Sequence, residues 1–423
     1  MTNKCPSGVS VCDITMPATN ELHSRKYQHP IRVLFFEPYP MGLGGNFLTQ
    51  RLILERLDRK RFYPIVLAPM DGIALDHFRA IGVECVVMPP LGALGRYGGA
   101  VLRAGVFSRL KSTIDLVRYN LHLAPFLRTR KIHLVYANGV RAQLSVGLGA
   151  WLAGAPTLLY MKGEFANPLI DRLCFLLASK ILFFCTQNRD DKYPLLVRWF
   201  CRKIEILRIG MDAALIAEVE RRDHSGILQE LDIDSSCLNA VVVGQLYRPK
   251  GQHFAIEALS RLVAEFPQAR LYLAGDHVIE EYRPYKAELE TLIEQYGLAK
   301  HVRFIGWRVD ALDIVSLMDI VIHPSLAEGF GRAVLESMAL GKPVIASAVG
   351  GLREAIQDGQ NGYLVGPGDV DAIALRWREL LSSPELRQRL GKDAQRTVVK
   401  DYLIDDKVAR LSEIWSEMAV ESN

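Results

Sequence analysis

A chain of 423 residues, 49% apolar and 23% charged, is long enough for two domains of ordinary size and has a globular composition. Its formal net charge of +4 is too small to argue for a nucleic-acid partner, and no apolar run reaches the roughly 18–20 residues of a membrane-spanning helix. The seven cysteines form no C-x-x-C pair, which suggests neither a zinc site nor a disulfide framework and fits a reducing cytoplasm.

Residues 1–30 are polar and mixed, lack the apolar stretch of a secretory signal, and read as a mobile tail. The run I-R-V-L-F-F at 31–36 suits a buried parallel strand. Met41-Gly42-Leu43-Gly44-Gly45-Asn46 follows, then an amphipathic stretch over 47–57. This is strand, Gly-rich loop, helix; such a loop serves either tight packing or close approach to a ligand. Further strand-like runs at 63–68, 84–88, 133–136, 157–160 and 181–185 alternate with helical patterns. Alternation of this kind predicts a mostly parallel sheet covered on both faces, forming a first doubly wound domain over 31–207.

The segment 95–131 differs in character. It holds eight bases (Arg96, Arg103, Arg109, Lys111, Arg118, Arg128, Arg130, Lys131) and one acid, Asp115, with apolar residues interleaved. Two readings fit: a helix resting on an anionic lipid surface, or a solvated helix face over a core. Asn138-Gly139 and Arg141, after the fourth run, read either as part of an acceptor wall or as a surface loop.

A hinge is expected over 205–215, and a second domain over 208–400. Its first strand, 240–243, leads into G-Q-L-Y-R-P-K-G, Gly244 to Gly251. Strands at 270–274 and 302–305, a helix at 309–318 and a strand at 320–322 come next. The chain then crosses Glu328-Gly329-Phe330-Gly331 into a helix over 332–340, which Gly341 stops and Pro343 keeps from continuing. A helix N-terminus after glycines at the carboxyl end of a strand is an anion site. Glu328 and Glu336 flank it. Carboxylates accept from sugar hydroxyls, so a donor carrying both phosphate and sugar suits this mixture; simple dipole stabilisation, at about 0.3–1 kcal/mol each, is the other reading. Two D-x-D pairs, Asp232/Asp234 and Asp369/Asp371, are poorly placed for a donor-site metal; the second suits helix capping. Helices follow over 369–381, 385–399 and 403–418.

The run P-S-x-x-E-G-F-G-x-x-x-L-E-S-M-A-x-G-K-P-V-I-A-S, with G-G-L-R-E and D-G-x-N-G-Y-L-V after it, closely resembles the signature of the family 4 retaining glycosyltransferases, with their E-x7-E motif. The resemblance covers about 244–369. It implies the GT-B fold: two Rossmann-like doubly wound parallel-sheet domains facing across a cleft, and a C-terminal helix over 401–423 crossing back to the first. It implies that Glu328 contacts donor-sugar hydroxyls, that Glu336 contacts the ribose, and that amides around Gly329, Phe330 and Gly331 meet sugar or diphosphate. Gly44 and Gly45 would approach the reaction centre from the first domain. Relatives usually read G-R-x-x-x-x-K-G where this chain opens at Gly244; Lys250 matches, Gln245 stands at the Arg position, and Arg248 is the candidate replacement cation. Many relatives carry a His just after the 157–160 strand, where this chain has Lys162 and Glu164. With Asn138, these mark the expected acceptor region.

The function so implied is retaining transfer of a hexose from a UDP- or GDP-linked sugar to a lipid-linked, saccharide or small-molecule acceptor. Glu328, Lys250 and Arg248 would be the catalytic groups, and neither a metal nor another cofactor is expected. A nucleotide-sugar epimerase-like enzyme, or a non-catalytic nucleotide-sugar-binding subunit on the same fold, is the alternative.

Overall fold

The computed structural model describes residues 29–90, 106–161, 168–276 and 282–421. Residues 1–28 of the expected tail, Lys162, Glu164 and the part of the basic segment before residue 106 lie outside them. Seven strands form the first sheet: β1 (Ile31–Phe36), β2 (Phe62–Ala68), β3 (Glu84–Val87), β4 (Leu134–Ala137), β5 (Thr157–Met161), β6 (Lys180–Phe183) and β7 (Ile204–Ile206). Their order is β3-β2-β1-β4-β5-β6-β7, parallel throughout. The crossover helices are α1 (Gly45–Arg56), α2 (Ile73–Ala80), α3 (Val106–Thr129), α4 (Val140–Ala153), α5 (Pro168–Leu177), α6 (Thr186–Lys192) and α7 (Pro194–Phe200).

After α8 (Ala213–Arg221) and α9 (Ser225–Glu230), the second sheet comprises β8 (Leu238–Val243), β9 (Ala269–Ala274), β10 (Val302–Gly306), β11 (Ile320–His323), β12 (Val344–Ser347) and β13 (Tyr363–Val365). Its order is β10-β9-β8-β11-β12-β13, again parallel. The helices are α10 (Gln252–Ser260), α11 (Arg283–Gln295), α12 (Ala311–Ser316), α13 (Arg332–Ala339), α14 (Leu352–Ala355), α15 (Val370–Ser382) and α16 (Pro384–Asp401).

Strands buried on both faces need apolar residues at successive positions. β1, β2, β8 and β11 meet that demand, with Val33, Leu34, Ile65, Val241 and Ile322 almost without exposure. Each sheet reverses its winding once, between β1 and β4 in the first and between β8 and β11 in the second. At such a switch point the loops leaving neighbouring strands diverge, and a crevice opens at the carboxyl ends. The loops after β1 and β4 carry Gly44 and Asn138; those after β8 and β11 carry Lys250 and Glu328.

The last helix, α17 (Ile404–Glu421), returns to the first sheet. Buried Trp415 lies 5.6 Å from the Phe35 and Phe62 rings and 5.9 Å from Tyr136, edge-on in each case. Leu411 and Ile414 are buried beside it. The entry to this helix is tied to the interdomain segment at Met211, whose N–H donates to the Tyr402 carbonyl at 2.7 Å while Ile404 N–H donates back to the Met211 carbonyl.

Candidate functional site

The loop after β8 makes a 3₁₀ turn at Arg248–Lys250 and ends at Gly251, with φ of +73°. A side chain there would be strained and would collide with the Pro324 carbonyl, so glycine is required for α10 to start against the loop after β11. This contact brings Lys250 over that loop. Its Nζ donates to Glu328 Oε2 at 2.6 Å. His323 closes β11, and its Nε2 lies 3.1 Å from the same oxygen. Buried Ser325 sits 3.2 Å from that Nε2.

Burial opposes ionisation of Glu328, yet the hydrogen bond and charge of His323, together with Lys250, outweigh it. They hold the carboxyl down from 4.5 to about 2. Glu328 is therefore a fixed anion at neutral pH, already paired with a cation.

Gly331, with φ of +79°, caps α13, and the first N–H groups of α13 have no intrahelical acceptor. Glu336 stands one turn in, and its Oε1 accepts from Arg332 Nε at 2.7 Å. Gly350 packs against the Glu328 carbonyl with φ of +50°, where a Cβ would collide. The turn is thus held by backbone contact from behind and by ion pairing in front. Gly244, with φ of +159°, lies against the Lys250 stem.

Two candidate side chains are engaged within the protein. Arg248 is exposed, and its Nη1 pairs with Glu288 on α11, which turns the guanidinium toward that helix. The Phe330 side chain is buried among the rings of Phe184, at 6.0 Å, and Tyr402, at 5.6 Å. Its ring fixes the turn, and only its backbone remains for a ligand.

Across the crevice, a Cβ at Gly44 or Gly45 would meet nothing within 4 Å, so the start of α1 faces open space. Asn138 is buried and reaches the Asn46 carbonyl and Gln50 Oε1, both at 3.4 Å. Its Oδ1 has no hydrogen-bond partner among the described residues. It ties the loop after β4 to the start of α1.

The two sides also touch. Asn188 Nδ2 donates to the Gly329 carbonyl at 3.3 Å. Glu354 on α14 accepts from Thr186 N–H at 2.6 Å, from the Thr186 hydroxyl, and from Arg208 Nη2 at 3.3 Å. A polar cavity of ≈ 420 Å³ opens beside this latch, with Thr186, Arg208, Lys407 and Arg410 among its lining residues. Lys250 and Glu328 are not part of that lining.

Sequence reasoning left His323 and Ser325 without a role. The available signal was a His at the end of an otherwise apolar strand, two residues before a Ser. Glu354 was legible only as the acid at a helix start. Among the described residues, no group of three or more His, Cys, Asp or Glu side chains is placed to hold a metal ion. Asp369 caps α15 by accepting from Ala372 N–H at 2.9 Å, and Asp371 pairs with Arg261.

The geometry offers a cation and helix-terminal N–H groups for an anion, and fixed carboxylates for hydroxyl groups, at one switch point. Residues 227–397 match the family described as glycosyl transferases group 1. The chain is 30% identical over 227 residues to a glycogen synthase of Mycobacterium tuberculosis, covering 53% of this chain and 51% of that one. It is 31% identical over 173 residues to the lipopolysaccharide core biosynthesis glycosyltransferase LpsE of Rhizobium meliloti, covering 41% and 48%. The matched part therefore spans about half the length of these relatives. Among solved structures, Anabaena HepE in complex with UDP-glucose superposes with a TM-score of 0.73 at 22% identity, covering 91% of this chain and 99% of that one. At that identity the likeness speaks to the fold alone.

Proposed function

We propose, for a chain that belongs to the group 1 glycosyl transferases and has the GT-B fold, that it transfers a hexose from a nucleotide-diphosphate sugar with retention of configuration. The carrying observation is the Lys250–Glu328–His323 cluster beside the N-terminus of α13. The diphosphate lies against Lys250 and the first N–H groups of α13, which hold charge as it builds on the leaving group. Glu328, kept ionised and oriented by His323, accepts from the sugar hydroxyls and aims the anomeric carbon at the cleft. Glu336 accepts from the ribose once Arg332 yields it. The acceptor, a saccharide, a lipid-linked sugar or a small molecule, enters past Gly44 and Asn138. The chemistry proceeds without a metal: Lys250 and the helix terminus supply the positive potential, and attack occurs on the face from which the phosphate leaves.

HepE is solved with UDP and with UDP-glucose, which makes UDP the first nucleotide to test. At about 100 times its dissociation constant, the right nucleotide adds ~2.7 kcal/mol of stability. A thermal melt should therefore rise with UDP and not with GDP; no shift with either would remove the reading. Glu336→Ala should weaken nucleotide binding about tenfold or more, because one hydrogen bond to a charged group is lost. Calorimetric titration showing unchanged affinity would place the ribose elsewhere.

A further inference from the structure

The polar cavity beside the interdomain latch, ≈ 420 Å³ in volume, has the size of a small-molecule site. Its walls come from three parts of the chain. Thr186 starts α6, Glu205 to Arg208 lead from β7 into the interdomain segment, and Asp406, Lys407 and Arg410 belong to α17. Three cations and two carboxylates therefore line one space, and their pairing decides what it can hold.

Glu205 and Arg410 are engaged with each other. Glu205 accepts from Arg410 at 2.8 Å and from Lys180 at 3.1 Å, and Arg410 also reaches Glu413 at 2.8 Å. Lys407 differs. Its Nζ donates to the Asp401 carbonyl at 2.7 Å, and among the described residues no carboxylate lies within ion-pair distance of it. An ammonium has three donors, so two remain open. Burial, and then the Arg208 charge, pull Lys407 below its ordinary pKa, against the smaller effect of Asp406 and Asp401. Arg208 is held loosely. Its Nε and Nη2 reach Glu354 Oε2 at 3.4 and 3.3 Å, against about 2.7–2.9 Å in a close charge-assisted pair. Its Nη1 has no partner among the described residues. Two cations thus line the cavity with donors to spare, one from the interdomain segment and one from α17. They repel each other, and an anion between them removes that repulsion. Exposed Asp406, one residue before Lys407, is an acceptor for hydroxyl groups.

We propose that this cavity binds a small phosphate monoester bearing hydroxyl groups, with its phosphate between Arg208 and Lys407 and a hydroxyl on Asp406. A phosphate suits two cations better than a carboxylate, which brings a single charge. The ligand draws on the same guanidinium that holds Glu354. Glu354 follows closely on Gly350, which packs against the Glu328 carbonyl, and on Gly351, whose N–H donates to the Gly329 carbonyl at 2.9 Å. A phosphate on Arg208 therefore competes with Glu354 and loosens the junction between the domains. A nucleotide gripped by the closed cleft is then bound less tightly, and by reciprocity it weakens the phosphate ester by the same factor. The site itself does not rest on glycosyl transfer.

The test is calorimetric titration of the full chain with glycerol 3-phosphate, inorganic phosphate and glycerol. The ester should bind, glycerol should not, and inorganic phosphate should bind about tenfold more weakly, because the hydroxyl contact to a charged group is missing. Lys407→Met should lower affinity for the ester about tenfold or more, with melting temperature and phosphate-free UDP affinity unchanged. Glu354→Gln should tighten the ester, since Arg208 is released to it; a purely structural role for the Arg208–Glu354 pair predicts no gain. Saturating ester should weaken UDP binding about fivefold in the wild type and leave it unchanged in Lys407→Met at the same concentration. Lys250→Ala should bind the ester as the wild type does, which separates this cavity from a phosphate at the Lys250 turn. No binding, binding lost in Lys250→Ala, or binding undiminished in Lys407→Met would overturn the proposal. So would no gain in Glu354→Gln, or UDP affinity indifferent to the ester. Equal affinity for inorganic phosphate would assign the cavity to the free ion and remove the ester. Ester binding without any UDP binding would leave the cavity site standing, with the Glu354→Gln gain as evidence of the competition, and would remove the transferase reading.

Discussion

Lys250→Ala should lower the transfer rate by about 10²–10³-fold, the loss typical of removing one donor aimed at developing negative charge. The size follows from position. Gly251 and Pro324 hold the turn that carries Lys250 against the loop after β11, so the ammonium is fixed 2.6 Å from Glu328 before any substrate arrives. The other cation of that turn, Arg248, is engaged by Glu288 on α11, so its charge does not substitute for the lost lysine. Steady-state rates with UDP-glucose, read as release of UDP, give the result. Lys250→Arg should recover part of the loss, since the charge returns with altered geometry. Near-normal turnover in the alanine variant would place the leaving phosphate away from this turn.

Glu328→Gln should leave the protein folded at neutral pH, slow transfer about 10²-fold or more through misplaced hydroxyls, and change its behaviour in acid. In the folded state the Glu328 carboxyl titrates at about 2, below its ordinary 4.5. A depressed value means that folding favours the ionised form. The resulting stability is complete above pH 4.5 and is lost as pH falls toward 2. A shift of this size corresponds to ~3 kcal/mol across that window. Denaturant unfolding of the wild type should therefore weaken more steeply between pH 4.5 and pH 2 than that of the glutamine variant. Parallel profiles would show that Lys250 and His323 do not hold the carboxylate in solution.

Much of the fold was legible because parallel strands buried on both faces leave unbroken apolar runs, as at 31–36 and 320–322. β7 was not legible as a strand. It has three half-buried residues, and Glu205 in its middle is taken up by Lys180 at 3.1 Å and Arg410 at 2.8 Å. Sequence carries no trace of those two partners. Within the site, the positions of Lys250, Glu328, Gly331 and Glu336 follow from motif spacing, because a glycine turn and a helix start are local events. Side-chain direction is not local. Glu288, forty positions along the chain, decides where Arg248 points. Phe184 and Tyr402, from distant segments, decide that Phe330 is buried. His323 joins Glu328 only because the turn after β11 folds back on its own strand.

The most direct measurement is a crystal structure of the full chain soaked with UDP-glucose. The diphosphate should lie within hydrogen-bond reach of Lys250 Nζ and the first N–H groups of α13, with Glu328 on the sugar hydroxyls and Glu336 on the ribose. A nucleotide bound away from the β8–β11 switch point, with the Lys250–Glu328 pair undisturbed and open to solvent, would contradict it.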